Sequence, residues 1–271
     1  MRIGIAQTSP GFGQRDRNIE AALNLIGQER ADLWVLPELF ASGYQFVSAD
    51  EVRELAEPVP GGSTTQALVE HARREGCHVV AGLPELDGKR VFNSAVLVGP
   101  DGFIASYRKV HLFYDETLWF SAGNRPFAVH EITVDGQTVR VGMMVCFDHL
   151  FPESARSLAL LGADVICHPA NLVMPDLAQR TMAIRALENG VYTATANRVG
   201  EESRIDETLV FTGQSQVVTP NGEVFVRLSP DAVETAVGEI DLDLARRKAI
   251  TPHNDKLSDR RPAMYSLEDQ T

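Results

Sequence analysis

From residue 2 to residue 199, short apolar runs rich in β-branched residues alternate with segments of helical period, which restricts the chain to an α/β fold. The series begins with "RIGIAQ", a helix over 18–28, "LWVLPE", a helix over 64–75 and "CHVVAGL". It resumes after residue 148 with helix "PESARSLALLG", strand "ADVICHPAN", helix "AQRTMAIRALENG" and strand "VYTATANRV". Asp101-Gly102, Asp135-Gly136 and Asn221-Gly222 lie between alternating apolar runs and predict hairpins, the last within "QSQVVTPNGEVFVRLS", so antiparallel pairs enter the sheet and make it mixed. A length of 271 residues suits one large α/β domain over 1–271, with the polar stretch from about 243 to 271 expected as a C-terminal arm. "ADLWVLPEL" and "ADVICHPAN" share Ala-Asp, apolar residues and a proline at the same offset. Two related halves would explain the echo, and so would reuse of similar helix-to-strand connections.

Net charge is −12, so no basic field draws the chain to nucleic acid or to anionic membrane surfaces, and neither is expected as a partner. No apolar run reaches the ~18 residues of a spanning helix, and "MRIGIAQTSP" has no apolar leader region. The three cysteines, Cys77, Cys146 and Cys167, are too few and too scattered for a disulfide framework or a CxxC metal site. A cytoplasmic protein without a metal is the expectation. The seven histidines offer no HxH or HExxH spacing.

Cys146 stands apart from the other two. Residues 139–145 read as a buried strand and 152–161 as a helix, which leaves Cys146 at the hinge between them. Helical amides near such a hinge favour thiolate, whereas Cys77 and Cys167 sit within or beside strands, where a cysteine is commonly a small hydrophobe. Glu38 in "LWVLPELFASGY" and Lys109 in "IASYRKVHLF" likewise place charge at the end of apolar runs. Each alone is most simply a rim residue, but three such groups converging at one sheet edge would form a reactive centre.

"LPELFASGY", "YRKVHLF" and "GMMVCFDHLFPESAR" together resemble, in order and spacing, the three signature segments of the nitrilase superfamily of carbon-nitrogen hydrolases. The resemblance continues through "HPANLVMP" and "RALENGVYTATANRVG" to the final hairpin. It implies a four-layer αββα sandwich with two mixed sheets and a Glu-Lys-Cys triad carried by Glu38, Lys109 and Cys146. A second family glutamate, which orients lysine and substrate, is best matched by Glu116, with Asp115 beside it. Homodimers or larger homo-oligomers are common in the family, and the resemblance places the contact on residues 151–161 and the C-terminal arm.

Reference pKa values of about 8.5 for a thiol and about 4.3 for a carboxyl make proton transfer between them uphill by roughly 6 kcal/mol. Burial is expected to close the gap by raising Glu38, and Lys109 to help by lowering Cys146. The implied reaction is hydrolysis of a small, non-peptide amide to a carboxylic acid and ammonia through a thioester, with no cofactor. Nitriles and N-carbamoyl compounds are alternative substrates, and a catalytically silent ligand- or partner-binding relative is the alternative of another class. Nitrilases of the family have Trp-Glu after the cysteine; Phe147-Asp148 here is closer to the amidase branches. Tyr44, Phe113, Trp119, Phe147, His149, Asn171 and Leu172 are expected to line the substrate pocket. None of Arg180, Arg185 and Arg198 makes an obvious carboxylate clamp.

Overall fold

Strands that bury both faces need cover on both sides, and here two sheets cover one another inside while helices cover them outside. The computed structural model describes residues 1–265. Its first half contains β1 (Arg2–Gln7), β2 (Leu33–Val35), β3 (His78–Asp87), β4 (Arg90–Gly99) and β5 (Gly102–Arg108). After these come β6 (Val129–Val134), β7 (Gln137–Met143), β8 (Val165–Pro169) and β9 (Tyr192–Ala196). Two short strands, β10 (Glu201–Glu202) and β11 (Leu209–Val210), pair with each other. They precede β12 (Gln216–Val218), β13 (Val224–Arg227) and β14 (Glu234–Glu239), and β15 (Ala249–Thr251) and β16 (Asn254–Asp255) close the series. The helices are α1 (Arg15–Ile26), α2 (Ala49–Leu55), α3 (Ser63–Glu75), α4 (Glu116–Trp119), α5 (Pro152–Leu160), α6 (Leu177–Asn189) and α7 (Leu242–Arg246).

One six-stranded sheet has the order β14-β1-β2-β3-β4-β5, the other β13-β12-β9-β8-β7-β6, and both are mixed. Ile3, Ile5, Leu33 and Val35 of the first pack against Val139, Val141, Val165 and Val217 of the second in one buried core. α1 and α3 cover the outer face of the first sheet, and α5 and α6 that of the second. The result is the αββα sandwich, with all three Asx-Gly hairpins in place between β4 and β5, β6 and β7, and β12 and β13.

The Ala-Asp echo has a structural counterpart. Asp32 precedes β2, the middle of the parallel trio β1-β2-β3, and Asp164 precedes β8, the middle of β7-β8-β9. Each carboxyl accepts the backbone N–H of the first neighbouring strand, from Arg2 at 2.5 Å and from Arg140 at 3.0 Å. Each residue's backbone also bridges the two flanking strands in the same pattern.

Two expectations need correction. α1 opens at Arg15, before Asn18, because the buried Asn18 amide donates to the carbonyls of Gly11 and Ala41 from inside the first turn. The C-terminal segment is also not wholly an arm, since Ala245 is buried in the inter-sheet core and Leu244 packs against it. Beyond it, Lys248 donates to the carbonyls of Asn189 and Gly190, and Lys256 to that of Leu187, so two cations satisfy the C-terminal end of α6. Residues 266–271 of the expected arm lie outside the described residues. Leu160 and Leu161 are exposed where a subunit contact was expected.

What matters for function is which strand ends share an edge. β2 and β3 run parallel, and two antiparallel steps return β5 to their direction. A parallel bridge between Thr8, after β1, and Arg198, after β9, aligns the second sheet's parallel strands with the first's. The C-terminal ends of β2, β5, β7 and β8 therefore open at one edge. The chain after β2 is held there by backbone bonds onto β3: Leu36 N–H to Val80, Gly82 N–H to Pro37 and Phe40 N–H to Gly82. That approach needs a glycine, since a Cβ on Gly82 would lie 2.5 Å from Glu38 Cα. Gly82→Ala is expected to destabilise the fold by about 1–3 kcal/mol, as other overpacked sites do. Urea unfolding checks this, and an unchanged midpoint would contradict it.

Candidate active site

Three segments deliver charge or a nucleophile to the shared edge. Glu38 follows β2 in a turn where Leu39 has φ 50°, Lys109 directly follows β5, and Cys146 follows β7 at φ 43° as the first residue of a 3-10 turn, Cys146–Leu150. A positive φ is unusual for a residue with a Cβ and marks a backbone that its surroundings hold in place.

Glu38 and Lys109 are fully buried, and Glu116 and Cys146 nearly so. Lys109 Nζ donates to Glu38 Oε1 at 2.8 Å and to Glu116 Oε1 at 2.7 Å. Glu116 also accepts from Tyr44 OH at 2.7 Å and from Phe113 N–H at 3.1 Å, which distinguishes it from half-buried Asp115. Asn93 donates to Glu38 Oε1 at 2.6 Å, leaving Glu38 Oε2 buried without a partner among the described residues. An ammonium has three N–H groups, so the two carboxyls leave one of Lys109's available. Asn171, after β8, donates to the Glu38 carbonyl at 2.9 Å, and its own carbonyl lies 3.7 Å from Cys146 Sγ.

Burial sets the titration of these groups. It raises Glu38 to about 7, against the opposing field of Lys109. Burial also works against charge on Lys109, but Glu116 and Glu38 outweigh it and lift its pKa above the ordinary value. For Cys146 the expectation was a lowered pKa. Burial and the Glu38 field exceed the pull of Lys109, and the thiol stands well above its usual value. Cys146 at rest is thus a neutral thiol, in the same buried cluster as a carboxyl that titrates near neutrality.

The turn that carries Cys146 is clamped to the strand before Lys109 by Asp148. Its buried carboxyl lies 2.7 Å from Tyr107 OH on β5 and accepts Val145 N–H at 2.9 Å. It also accepts His111 N–H at 3.1 Å and lies 2.7 Å from His111 Nδ1. Residues on both sides of Lys109 and both sides of Cys146 thereby share one carboxyl. His168 Nε2 lies 2.8 Å from the Cys146 carbonyl oxygen, and burial lowers its pKa to about 4, so it is a neutral support. On the lysine side, a Cβ on Gly123 would meet the backbone oxygens of Arg108 and Lys109.

Beside Cys146 lies a cavity of about 30 Å³. Of the expected pocket residues, Phe113, Phe147, His149, Asn171 and Leu172 line it. Tyr44 and Trp119 do not, because Tyr44 is tied to Glu116 and both residues face a second cavity of about 20 Å³ on that side. Val173, Met174, Leu177 and Ala178 also line the Cys146 cavity and were not foreseen. Asn93 was missed as well, although a polar residue inside "RVFNSAVLV" was a visible signal. Of the arginines, Arg198 pairs with Glu202, and Arg185 donates to the carbonyls of His149 and Leu150. Arg180 is exposed in a neighbouring depression that shares Leu177 with the Cys146 cavity. Among the described residues no group of three or more His, Cys, Asp or Glu is arranged to hold a metal ion.

Comparison with known proteins agrees with this geometry. The carbon-nitrogen hydrolase family profile matches residues 2–249. A nitrilase from Pyrococcus abyssi is 48% identical over 268 residues, spanning 98% of this chain and 99% of its own. An (R)-stereoselective amidase from a Pseudomonas species is 36% identical over 96% of this chain and 92% of its own. Among solved structures, an amidase from Nesterenkonia superposes with a TM-score of 0.78 at 27% identity, covering 97% of this chain and 94% of that one. That structure carries a Glu-to-Gln substitution and holds the acetamide moiety of fluoroacetamide covalently at its active-site cysteine.

If Glu38 is the group that takes the thiol proton, reactivity requires its ionised form. Because its pKa is raised, reactivity is lost as pH falls through about 7 rather than through the ordinary carboxyl range. The rate of Cys146 alkylation by iodoacetamide is therefore expected to fall with an acid limb near pH 7, and Glu38→Gln to be slow and flat there. A wild-type limb near pH 4.5 would contradict this assignment.

Proposed function

Because the chain belongs to the carbon-nitrogen hydrolase family and is an enzyme of it, we propose that it hydrolyses small non-peptide amides through a Cys146 thioester. The observation that carries the proposal is a fully buried lysine held between two carboxyls, one of which has an oxygen without a partner among the described residues, at the strand ends where Cys146 is presented.

The steps follow from that arrangement. Glu38 Oε2 takes the Cys146 proton as sulfur attacks the amide carbon, and the carbonyl π pair moves onto oxygen. The free N–H of Lys109 and the backbone N–H of Phe147 stabilise that oxyanion where water is excluded. Collapse breaks the carbon–nitrogen bond, and Glu38 returns its proton to the departing ammonia. Glu38 then removes a proton from water as its oxygen attacks the thioester, and the thiol leaves with that proton. Glu116 holds Lys109 in place and, with Glu38, keeps it charged. The chemistry of the residues requires no metal or cofactor.

A nitrile reaction is the second reading, favoured by the 48% identical Pyrococcus abyssi nitrilase. Phe147-Asp148 in place of Trp-Glu favours the amide. The discriminating experiment is ammonia release from short aliphatic amides, N-carbamoyl compounds and small nitriles by wild type and Cys146→Ala. Amides should be turned over fastest, with at least about a 10³-fold loss in Cys146→Ala, the scale on which nucleophile removal acts. Full activity in Cys146→Ala would remove the mechanism, and activity on nitriles alone would transfer it to the second reading.

A further inference from the structure

The cavity beside Cys146 is lined by Phe113, Phe147, Leu172, Val173, Met174 and Leu177, with His149 and Asn171 as its polar members. Among the described residues, none of its lining side chains is a lysine, arginine, aspartate or glutamate. Its one titratable member besides Cys146, His149, is kept neutral: burial, with the fields of His168 and Arg185, lowers it to about 3. Arg185 and Arg198 are committed to carbonyls and a carboxyl, and Arg180 is exposed in a depression that shares Leu177 with this cavity but does not line the cavity itself. The cavity on the Tyr44 and Glu116 side carries Asp115, Glu116 and Glu207. An anionic acyl group would meet apolar walls on one side and acidic neighbours on the other.

We infer, on the premise of the amide hydrolysis proposed above, that the natural substrates carry a short, uncharged, largely apolar acyl group, and that amides with a distal carboxylate are excluded. A carboxylate brought into this cavity would lose its hydration with neither a cation nor a cluster of donors to replace it. The exclusion acts through the walls and does not depend on the reaction at Cys146. The size of the space, about that of one water molecule, sets the short length, while half-exposed Met174 at its rim supplies the flexibility to admit a few more carbons.

The test compares two amides of matched shape, 3-methylbutanamide and malonamate, which differ in having an isopropyl group or a carboxylate at the distal end. kcat/KM for the neutral amide is expected to exceed that for malonamate by at least about 100-fold. Comparable values, or a preference for malonamate, would overturn the inference while leaving the hydrolase proposal standing. If neither amide nor propionamide is hydrolysed, the hydrolase proposal fails, and the pocket is read by alkylation instead. Cys146 should then favour iodoacetamide over iodoacetate by a factor at least about ten times that of a free thiol under the same conditions. A ratio equal to that of the free thiol would overturn the inference on its own. Met174→Arg places a cation at the rim, and it should raise kcat/KM for malonamate about 10-fold relative to 3-methylbutanamide. An unchanged ratio, in a variant whose Cys146 still reacts with iodoacetamide at the wild-type rate, would count against the apolar wall as the source of selectivity.

Discussion

A lysine with no solvent exposure is tolerable only if its charge is answered, and the architecture of this active edge follows from answering Lys109 twice. Removing one partner of a buried ion pair costs roughly 3–5 kcal/mol. Glu38 and Glu116 must therefore both reach Nζ, and the surrounding structure brings them there. Gly82 lets the chain bearing Glu38 lie against β3, and Gly123 leaves room beside the lysine backbone. Tyr44 and the Phe113 amide hold Glu116, and Asn93 holds the same Glu38 oxygen that the lysine uses. The remaining carboxyl oxygen is buried and makes no hydrogen bond among the described residues.

The electrostatic consequences oppose one another usefully. The same burial that raises Glu38 toward neutrality also raises Cys146, so a stable thiolate at rest is disfavoured. In the proposed reaction, proton transfer is tied to attack on substrate, when negative charge moves from sulfur to an oxygen near Lys109. A buried site that kept its thiolate would be open to alkylation and oxidation whenever solvent entered. Asp148 contributes geometry rather than reactivity: one carboxyl holds residues flanking the lysine and residues flanking the cysteine, so the two sheets keep a fixed relation at the edge.

Much of this was legible in the residues. Alternating apolar and amphipathic segments declare the α/β class, the Asx-Gly pairs locate all three hairpins, and Glu38, Lys109 and Cys146 each follow an apolar strand. Glu116 could be preferred over Asp115 only by resemblance, because the sequence does not tell which of two adjacent acids points inward; the Lys109 and Tyr44 bonds do. The Cys146 pKa was expected to move the wrong way, since burial depends on long-range packing and exceeded the visible neighbouring charge. Trp119 was expected in the substrate pocket, and at the end of α4 it lines the cavity on the Glu116 side. Leu244 and Ala245 looked like part of a polar arm because their flanks are charged, yet Ala245 is buried in the inter-sheet core and Leu244 packs against it.

The central claim is that the reaction passes through an acyl group carried on sulfur, and partitioning with hydroxylamine tests it most directly. An amide and an ethyl ester of the same short acid would form the same thioester at Cys146 and lose all memory of their leaving groups. Added hydroxylamine should then give hydroxamate and acid in one fixed ratio from both. Ratios that differ between the two substrates, or hydrolysis without any hydroxamate at saturating hydroxylamine, would mean that water attacks the substrate directly and that the buried lysine and carboxyls serve some other chemistry.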